Sequence, residues 1–350
     1  MVSKKKGAPG VEELLGVLGE RLKPPFGIVL GAPGEAARLA VALGSPEIVA
    51  YQMDLHPAER LTEALAELGG TGQVKTLPDL WDLPAEFQTV VYPAPKRGER
   101  ELKIDMVEQA YHVLRPRGVF VVLTPYERDD FFPPLLKKVF GKVHMPTVGG
   151  RPVLWCQREG DRPRRRHEVT FHARVGEETS RVFLSRPGTF AYGKLDDGSR
   201  ALVSVMEVKP GERVLDLGCG CGTNGVFAGL RAGPGGHVAF ADSNVRALAL
   251  AEHNARANGL TSFEVVASSR VQGPAKHTFD VALANPPYLD RGSAAGLFLV
   301  RAHALLKRGG RLYLVTRQPQ QVAPMVLDVF GDAEAQTRGG YTIFHATRGR

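Results

Sequence analysis

In the first half of the chain, short unbroken apolar runs are separated by stretches with helical spacing. Phe26–Gly31, Ile48–Tyr51, Thr89–Tyr92 and Val119–Leu123 read as buried strands. Between them, Glu35–Leu43, Pro57–Leu68 and Glu101–Leu114 carry helical patterns, with Pro57 expected at the first helical position. Leu14, Leu15, Leu18 and Leu22 predict a further helix over Glu12–Leu22. Such alternation predicts a parallel, doubly wound α/β sheet.

The second half repeats the rhythm. Glu212–Leu217 is a strand that runs into a glycine turn, and Thr223–Arg231 is the helix behind it. The strand His237–Ala241 ends at Asp242, and a helix follows over Asn244–Asn258, capped by Asn244 or Ser243. Phe263–Ala267 and Phe279–Leu283 are two more strands. Ahead of this block, Val169–Ala173 and Arg181–Ser185 read as a strand pair, and Ala201, Leu202, Val205 and Met206 mark a helix.

The two halves also resemble each other residue by residue. Val29–Gly34 falls opposite Asp216–Cys221, and Tyr92–Pro95 opposite Asn285–Tyr288. The strongest pair sets Ala110–Gly118 against Ala302–Gly310. Val139-Phe140-Gly141 then matches Val329-Phe330-Gly331, and Gly149-Gly150 matches Gly339-Gly340. The matches keep their order at a nearly constant offset, as a duplicated domain requires. The expected layout is a basic disordered arm over 1–10, a first domain over 11–157, a basic linker over 158–167 and a second domain over 168–350.

Composition narrows the setting. The chain has 350 residues and a formal net charge of +8, which favours a polyanionic partner. The run Arg162-Pro163-Arg164-Arg165-Arg166-His167 reads as a solvated linker or as a strip of phosphate contacts. No apolar run approaches the roughly 18 residues that span a bilayer, and Lys4-Lys5-Lys6-Gly7 lacks a signal-peptide core, so no membrane partner and a cytoplasmic setting are expected. Cys156, Cys219 and Cys221 are too few for a disulfide framework, and the Cys219-x-Cys221 spacing does not suit zinc, so no metal is expected.

The chemistry collects at the ends of the strands of the second half. Asp216-Leu217-Gly218-Cys219-Gly220-Cys221-Gly222 is a glycine turn preceded by an acid. A glycine turn alone fits many nucleotide sites, and a dinucleotide site needs room for a pyrophosphate where Asp216 stands. An acid there suits the ammonium of S-adenosylmethionine. Asp242 is placed for ribose hydroxyls, and Ser268 for the adenine edge. The strand over Phe279–Leu283 delivers Asn285-Pro286-Pro287-Tyr288, a turn stiffened by two prolines. Its carbonyls can accept hydrogen bonds from an amino group, and Tyr288 offers a stacking face. The order of these features reads as a class I S-adenosylmethionine-dependent methyltransferase acting on a planar nitrogen. The candidate catalytic residues are Asn285, Pro286, Pro287 and Tyr288. The candidate cofactor-binding residues are Asp196, Asp216, Gly218, Cys219, Gly220, Asp242, Ser243, Ser268 and Asn285. The first half has no acid before Gly31-Ala32-Pro33-Gly34 and reads Tyr92-Pro93-Ala94-Pro95-Lys96 after its fourth strand, so it is expected to fold without catalysing.

These residues bring a family into view. Pro187-Gly188-Thr189-Phe190, Leu195-Asp196-Asp197-Gly198-Ser199, Val214–Gly220, Ala267-Ser268-Ser269, Phe279-Asp280 and Asn285-Pro286-Pro287 resemble the RsmC-type enzymes, the bacterial ribosomal RNA small-subunit methyltransferase C family and its large-subunit relatives. The resemblance is strong over 185–317 and weaker before. It implies two tandem Rossmann-like methyltransferase domains with the first degenerate, S-adenosylmethionine as cofactor, and methyl transfer to guanine N2 of ribosomal RNA, as free RNA or in a subunit. The family has Phe after the two prolines where this chain has Tyr288. Tyrosine there is common in adenine-N6 and glutamine-amide methyltransferases, which stay open as alternatives beside a non-catalytic RNA-binding relic. Two copies in one chain could mimic a dimer, so a monomer is expected.

Overall fold

The computed structural model describes residues 10–271, 276–287 and 293–349. The expected arm falls outside them apart from Gly10, and so does Tyr288. The chain divides into two compact units, Met1–His167 and Glu168–Arg350.

The first unit runs α1 (Val11–Gly16), β1 (Phe26–Val29), α2 (Pro33–Leu43), β2 (Ile48–Gln52), α3 (Leu55–Glu67), β3 (Gln73–Thr76), β4 (Phe87–Pro93), α4 (Arg100–Val113), β5 (Leu114–Leu123), α5 (Phe132–Phe140), β6 (Thr147–Val148) and β7 (Arg151–Gln157). The second runs β8 (Val169–Ala173), β9 (Arg181–Ser185), α6 (Asp197–Val205), β10 (Arg213–Leu217), α7 (Thr223–Ala232), β11 (His237–Asp242), α8 (Val245–Ala257), β12 (Phe263–Ala267), β13 (Phe279–Ala284), α9 (Ser293–Leu305), β14 (Leu306–Thr316), α10 (Pro319–Phe330), β15 (Glu334–Arg338) and β16 (Tyr341–Thr347).

Each unit has its own seven-stranded sheet among the described residues, and the two sheets have the same strand order: β3-β2-β1-β4-β5-β7-β6 and β12-β11-β10-β13-β14-β16-β15. Five strands of each are parallel, and a hairpin closes one edge antiparallel to β5 or β14. The apolar runs fill the sheet interiors: every residue of β1 is buried, and the Val281–Ala284 stretch of β13 is fully inaccessible. This two-sided burial is why those runs show no alternation. Sequence reasoning missed the edge hairpins and β3, whose mixed polar residues carry a weak signal.

Two of the boundaries that differ from expectation have a local cause. The first helix stops at Gly16, and Gly19 has φ of 49°, so only a short 3₁₀ turn follows. The third helix begins before Pro57, because the Asp54 carboxylate accepts the His56 N–H at 2.9 Å and caps it. Pro57 still sits in the first turn, where a missing N–H costs nothing.

Register refines the repeat. Val29 pairs with Tyr51 three residues before the Asp54 cap, and Leu217 pairs with Ala241 three residues before the Asn244 cap. Ile28 therefore stands at the place of Asp216, Leu30 at that of Gly218 and Pro93 at that of Asn285, one residue away from the sequence alignment at each end. The Ala110–Gly118 match holds as aligned. A Cβ on Gly118 would lie 3.2 Å from the Phe87 carbonyl, and one on Gly310 would lie 3.1 Å from that of Phe279.

Candidate active site

Asp216 is wholly buried in β10, and the Gly225 N–H donates to its Oδ2 at 2.8 Å. Its Oδ1 is buried with no hydrogen-bond partner. Burial raises the carboxyl to about 7; the Gly225 N–H pulls the other way, and the Asp242 charge adds to the rise. A buried acid with one satisfied oxygen ties the glycine turn to α7 and leaves an acceptor for a cation.

The turn beyond it adopts left-handed backbone at Gly218 and Gly220, with φ of 63° and 55°, which favours glycine. The Gly218 N–H donates to the Ala241 carbonyl at 2.8 Å, and the Gly220 N–H to Asp242 Oδ2 at 2.9 Å. Asp242 Oδ1 accepts the Asn244 N–H at 2.8 Å, so this carboxylate braces both the turn and the start of α8. Cys219 and Cys221 are buried, and burial pushes the Cys221 thiol up to about 12 and that of Cys219 well above its usual range. They are neutral packing groups. Among the described residues no cluster of His, Cys, Asp or Glu is placed to hold a metal.

Asn285 leaves the end of β13, beside β10 in the sheet. Its Nδ2 donates to Asp196 Oδ2 at 2.9 Å and to Ser199 Oγ at 3.2 Å. A carboxylate only accepts, so this contact fixes which end of the amide is nitrogen. Asp196 also accepts the Ser199 N–H at 2.9 Å as the N-cap of α6. The structure thus gives Asp196, expected among the cofactor contacts, a second duty as the anchor of Asn285. Pro286 is buried and Pro287 exposed.

Asn285, Asp196, Ser199, Gly218, Cys219 and Gly220 line one depression, with Phe190 at its mouth. Asp242 joins it through Gly220. Ser268 lies one strand further out, its N–H on the Asp242 carbonyl at 3.1 Å and its Oγ accepting the Arg270 N–H at 3.3 Å. Ser243 sits between Asp242 and the Asn244 cap.

Sequence reasoning missed Arg246 and Asn254, and gave Phe190 and Asn244 no part in the site. Phe190 is 56% exposed, an unusual state for a phenylalanine beside a polar pocket. Its loop is held from α8: Asn244 Nδ2 donates to the Gly188 carbonyl at 2.8 Å, and buried Arg246 donates to that of Pro187 at 2.6 Å. Asn254 Nδ2 bridges the Leu184 and Cys221 carbonyls at 2.9 and 2.8 Å and so ties β9 to the glycine turn. The signal was present: Asn254 falls on the same helical stripe as Ala247 and Ala251, a polar residue in a core position.

Two arginines of the basic segment, Arg158 and Arg162, pack on Tyr111. The Arg158 and Arg162 guanidiniums lie 5.2 and 5.8 Å from the Tyr111 ring centre, and Arg162 donates to the Lys138 and Val139 carbonyls, each at 2.8 Å. His167 Nε2 is 2.9 Å from Glu108 Oε2. Burial works against the Glu108 charge, but the His167 contact and the arginines hold its carboxyl below the usual range. Arg164, Arg165 and Arg166 are exposed.

Residues 180–345 match the family model described as the methyltransferase small domain. Ribosomal RNA small subunit methyltransferase C of Chromohalobacter salexigens is 36% identical over 157 residues, which cover 42% of this chain and 45% of that protein. Its namesake from Pseudomonas entomophila is 30% identical over 172 residues, covering 47% and 51%. The chain spans about half the length of the curated relatives it matches. The solved structure of the T. thermophilus 16S rRNA N2 G1207 methyltransferase (RsmC), in complex with AdoMet and guanosine, superposes with a TM-score of 0.75 at 21% identity, over 98% of this chain and 92% of that one. The second unit therefore resembles a methyltransferase small domain, and the chain as a whole shares the tandem fold of that solved structure.

Proposed function

We propose that the chain is an S-adenosylmethionine-dependent N-methyltransferase whose acceptor is guanine N2 of small-subunit ribosomal RNA, free or in a subunit, and that it works as a cytoplasmic monomer. The carrying observation is how Asn285 is held: its nitrogen donates to Asp196 and Ser199, which sets the orientation of the amide at the end of β13. The relatives' names supply the substrate class. No described helix is long and apolar enough to cross a membrane.

The residues present fit the cofactor. The orphaned Asp216 Oδ1 suits an ammonium, the turn at Gly218 and Gly220 lets backbone approach closely, and Asp242 suits ribose hydroxyls. When bound, the cofactor supplies an electrophilic sulfonium methyl. Asn285 Oδ1 and the Pro286 carbonyl accept hydrogen bonds from the amine and aim its lone pair. They also stabilise the positive charge that grows on nitrogen as the N–C bond forms and the C–S bond breaks. Most of the rate comes from this positioning. The departing proton needs no strong base, since it leaves after transfer. Ser268 is the outermost cofactor contact of this reading, near the adenine, with Ser243 beside the ribose. Tyr288 supplies the stacking face for the base.

The test is transfer of labelled methyl groups to separated ribosomal RNAs and bulk protein, followed by nucleoside analysis. Label in N2-methylguanosine of small-subunit RNA is the expected result. Label in N6-methyladenosine or in protein glutamine would replace the acceptor.

A further inference from the structure

The first unit retains a cavity of about 500 Å³ at the carboxyl edge of its own sheet, a size typical of small-ligand sites. Its walls come from the turn after β4, the start of α4 and the loop after β5. We propose that this cavity binds one unpaired nucleotide of the RNA, with the base on Tyr126 and the phosphate on Arg100 and Lys103. The proposal rests on the reading above for the identity of the polyanion.

The part of this unit that corresponds to the cofactor site is closed. Ile28 replaces the acid, and the turn from Val29 to the Ala32 cap is two residues shorter than that from Leu217 to the Gly222 cap. A Cβ on Gly31 would lie 2.5 Å from the Pro93 ring, so Pro93 already fills the space over the turn. Gln52, in the place of Asp242, donates to the Gly31 carbonyl at 3.3 Å. A sulfonium cofactor has no seat here.

The outer part is open, and its chemistry is that of a nucleotide. Tyr126 is 39% exposed, and its hydroxyl donates to the Lys96 carbonyl at 2.7 Å, which fixes the ring. Two acids in the wall are already committed. Asp129 accepts the Phe131 and Phe132 N–H groups at 2.9 and 2.8 Å, and Asp130 pairs with Arg128 at 3.2 Å. The remaining charged groups of the wall, Arg100 and Lys103, are both cations. Arg100 lies 5.5 Å from the Phe131 ring centre. Stacking of this kind uses the guanidinium face and leaves its N–H edge for a phosphate. A fixed aromatic beside two cations is how proteins hold single-stranded nucleic acid.

The test uses the full chain, without cofactor, and a single-stranded RNA of about twelve nucleotides. The double variant Tyr126→Ala/Arg100→Gln should bind roughly tenfold more weakly. Its salt slope should fall by about 0.7, because one phosphate fewer is neutralised. Tyr126→Phe should keep most of the affinity, because the ring rather than the hydroxyl holds the base. Arg256→Gln, on the exposed side of α8, should bind like the parent. Equal affinity and slope in the double variant and the parent would overturn the proposal, as would an equal loss in Arg256→Gln. Methyl transfer is read separately. Transfer by the parent with no pocket effect on RNA sinks only the pocket, and a pocket effect without transfer sinks only the catalytic reading.

Discussion

The two units have one topology and different edges. Both place a small residue against the carbonyl at the start of the fourth strand, Gly118 on Phe87 and Gly310 on Phe279. Both close the fifth strand with a buried threonine whose Oγ accepts a backbone N–H two residues on: Thr124 from Tyr126 at 3.4 Å and Thr316 from Gln318 at 3.0 Å. At the ligand edge they part. Asp216, Gly218, Asp242 and Asn285 face Ile28, Leu30, Gln52 and Pro93. A fold is held by many distributed apolar contacts and survives such changes, whereas a site depends on a few groups and does not.

The largest effect should come from Asn285→Ala. It should lower kcat by roughly 10²–10³-fold and leave cofactor affinity by calorimetry near the parental value. A variant that turns over normally would remove the one residue that most separates the units.

Asp216→Asn should weaken cofactor binding by about 3 kcal/mol, the scale of losing one partner of a buried charge pair. The parental carboxyl, raised to about 7 by burial, makes the direction with pH specific. Its folded value lies above its unfolded one, so ligand-free stability falls as pH rises from about 4 to 7. Cofactor affinity should rise over the upper part of that window, because a cation prefers the ionised form. The amide in place of the acid should flatten both profiles, and unchanged slopes in calorimetry would show that another group titrates.

Ile28→Asp tests the opposite direction. It places a carboxylate in the first unit with no prepared N–H donor and no cation. The cost should be about 3 kcal/mol at pH 8 and less at pH 4, where the acid is protonated. Denaturant titration at the two pH values checks this, and no cofactor binding should appear.

The smallest effect should come from separating the two duties of Asp196. Asp196→Ser keeps a helix cap but is too short to hold Asn285. Stability should stay within about 1 kcal/mol, while kcat falls roughly tenfold. Equal kcat would mean that Asn285 keeps its orientation by other means.

Most of this organisation was legible in the chain. Buried parallel strands must be apolar on both faces, so Ile48–Tyr51 and Phe279–Leu283 announced themselves. The glycine turn, the acids before and after it and the Asn-Pro-Pro turn were visible, because each depends on residue type at fixed local spacing. Edge elements such as β15, exposed along its whole length, had no comparable pattern.

The sequence by itself determined the doubly wound class, the duplication and the half that matches the methyltransferase small domain, since those follow from local periodicity and short motifs. Tertiary structure alone decided the orientation of the Asn285 amide, because that depends on a carboxylate 89 residues away. It alone shifted the repeat by one residue at the ligand edge, because register is a property of paired strands. It alone laid Arg158 and Arg162 on Tyr111 in a segment that composition describes as a linker. Contacts between residues far apart in the chain are set by how the layers pack, and local spacing carries no record of them.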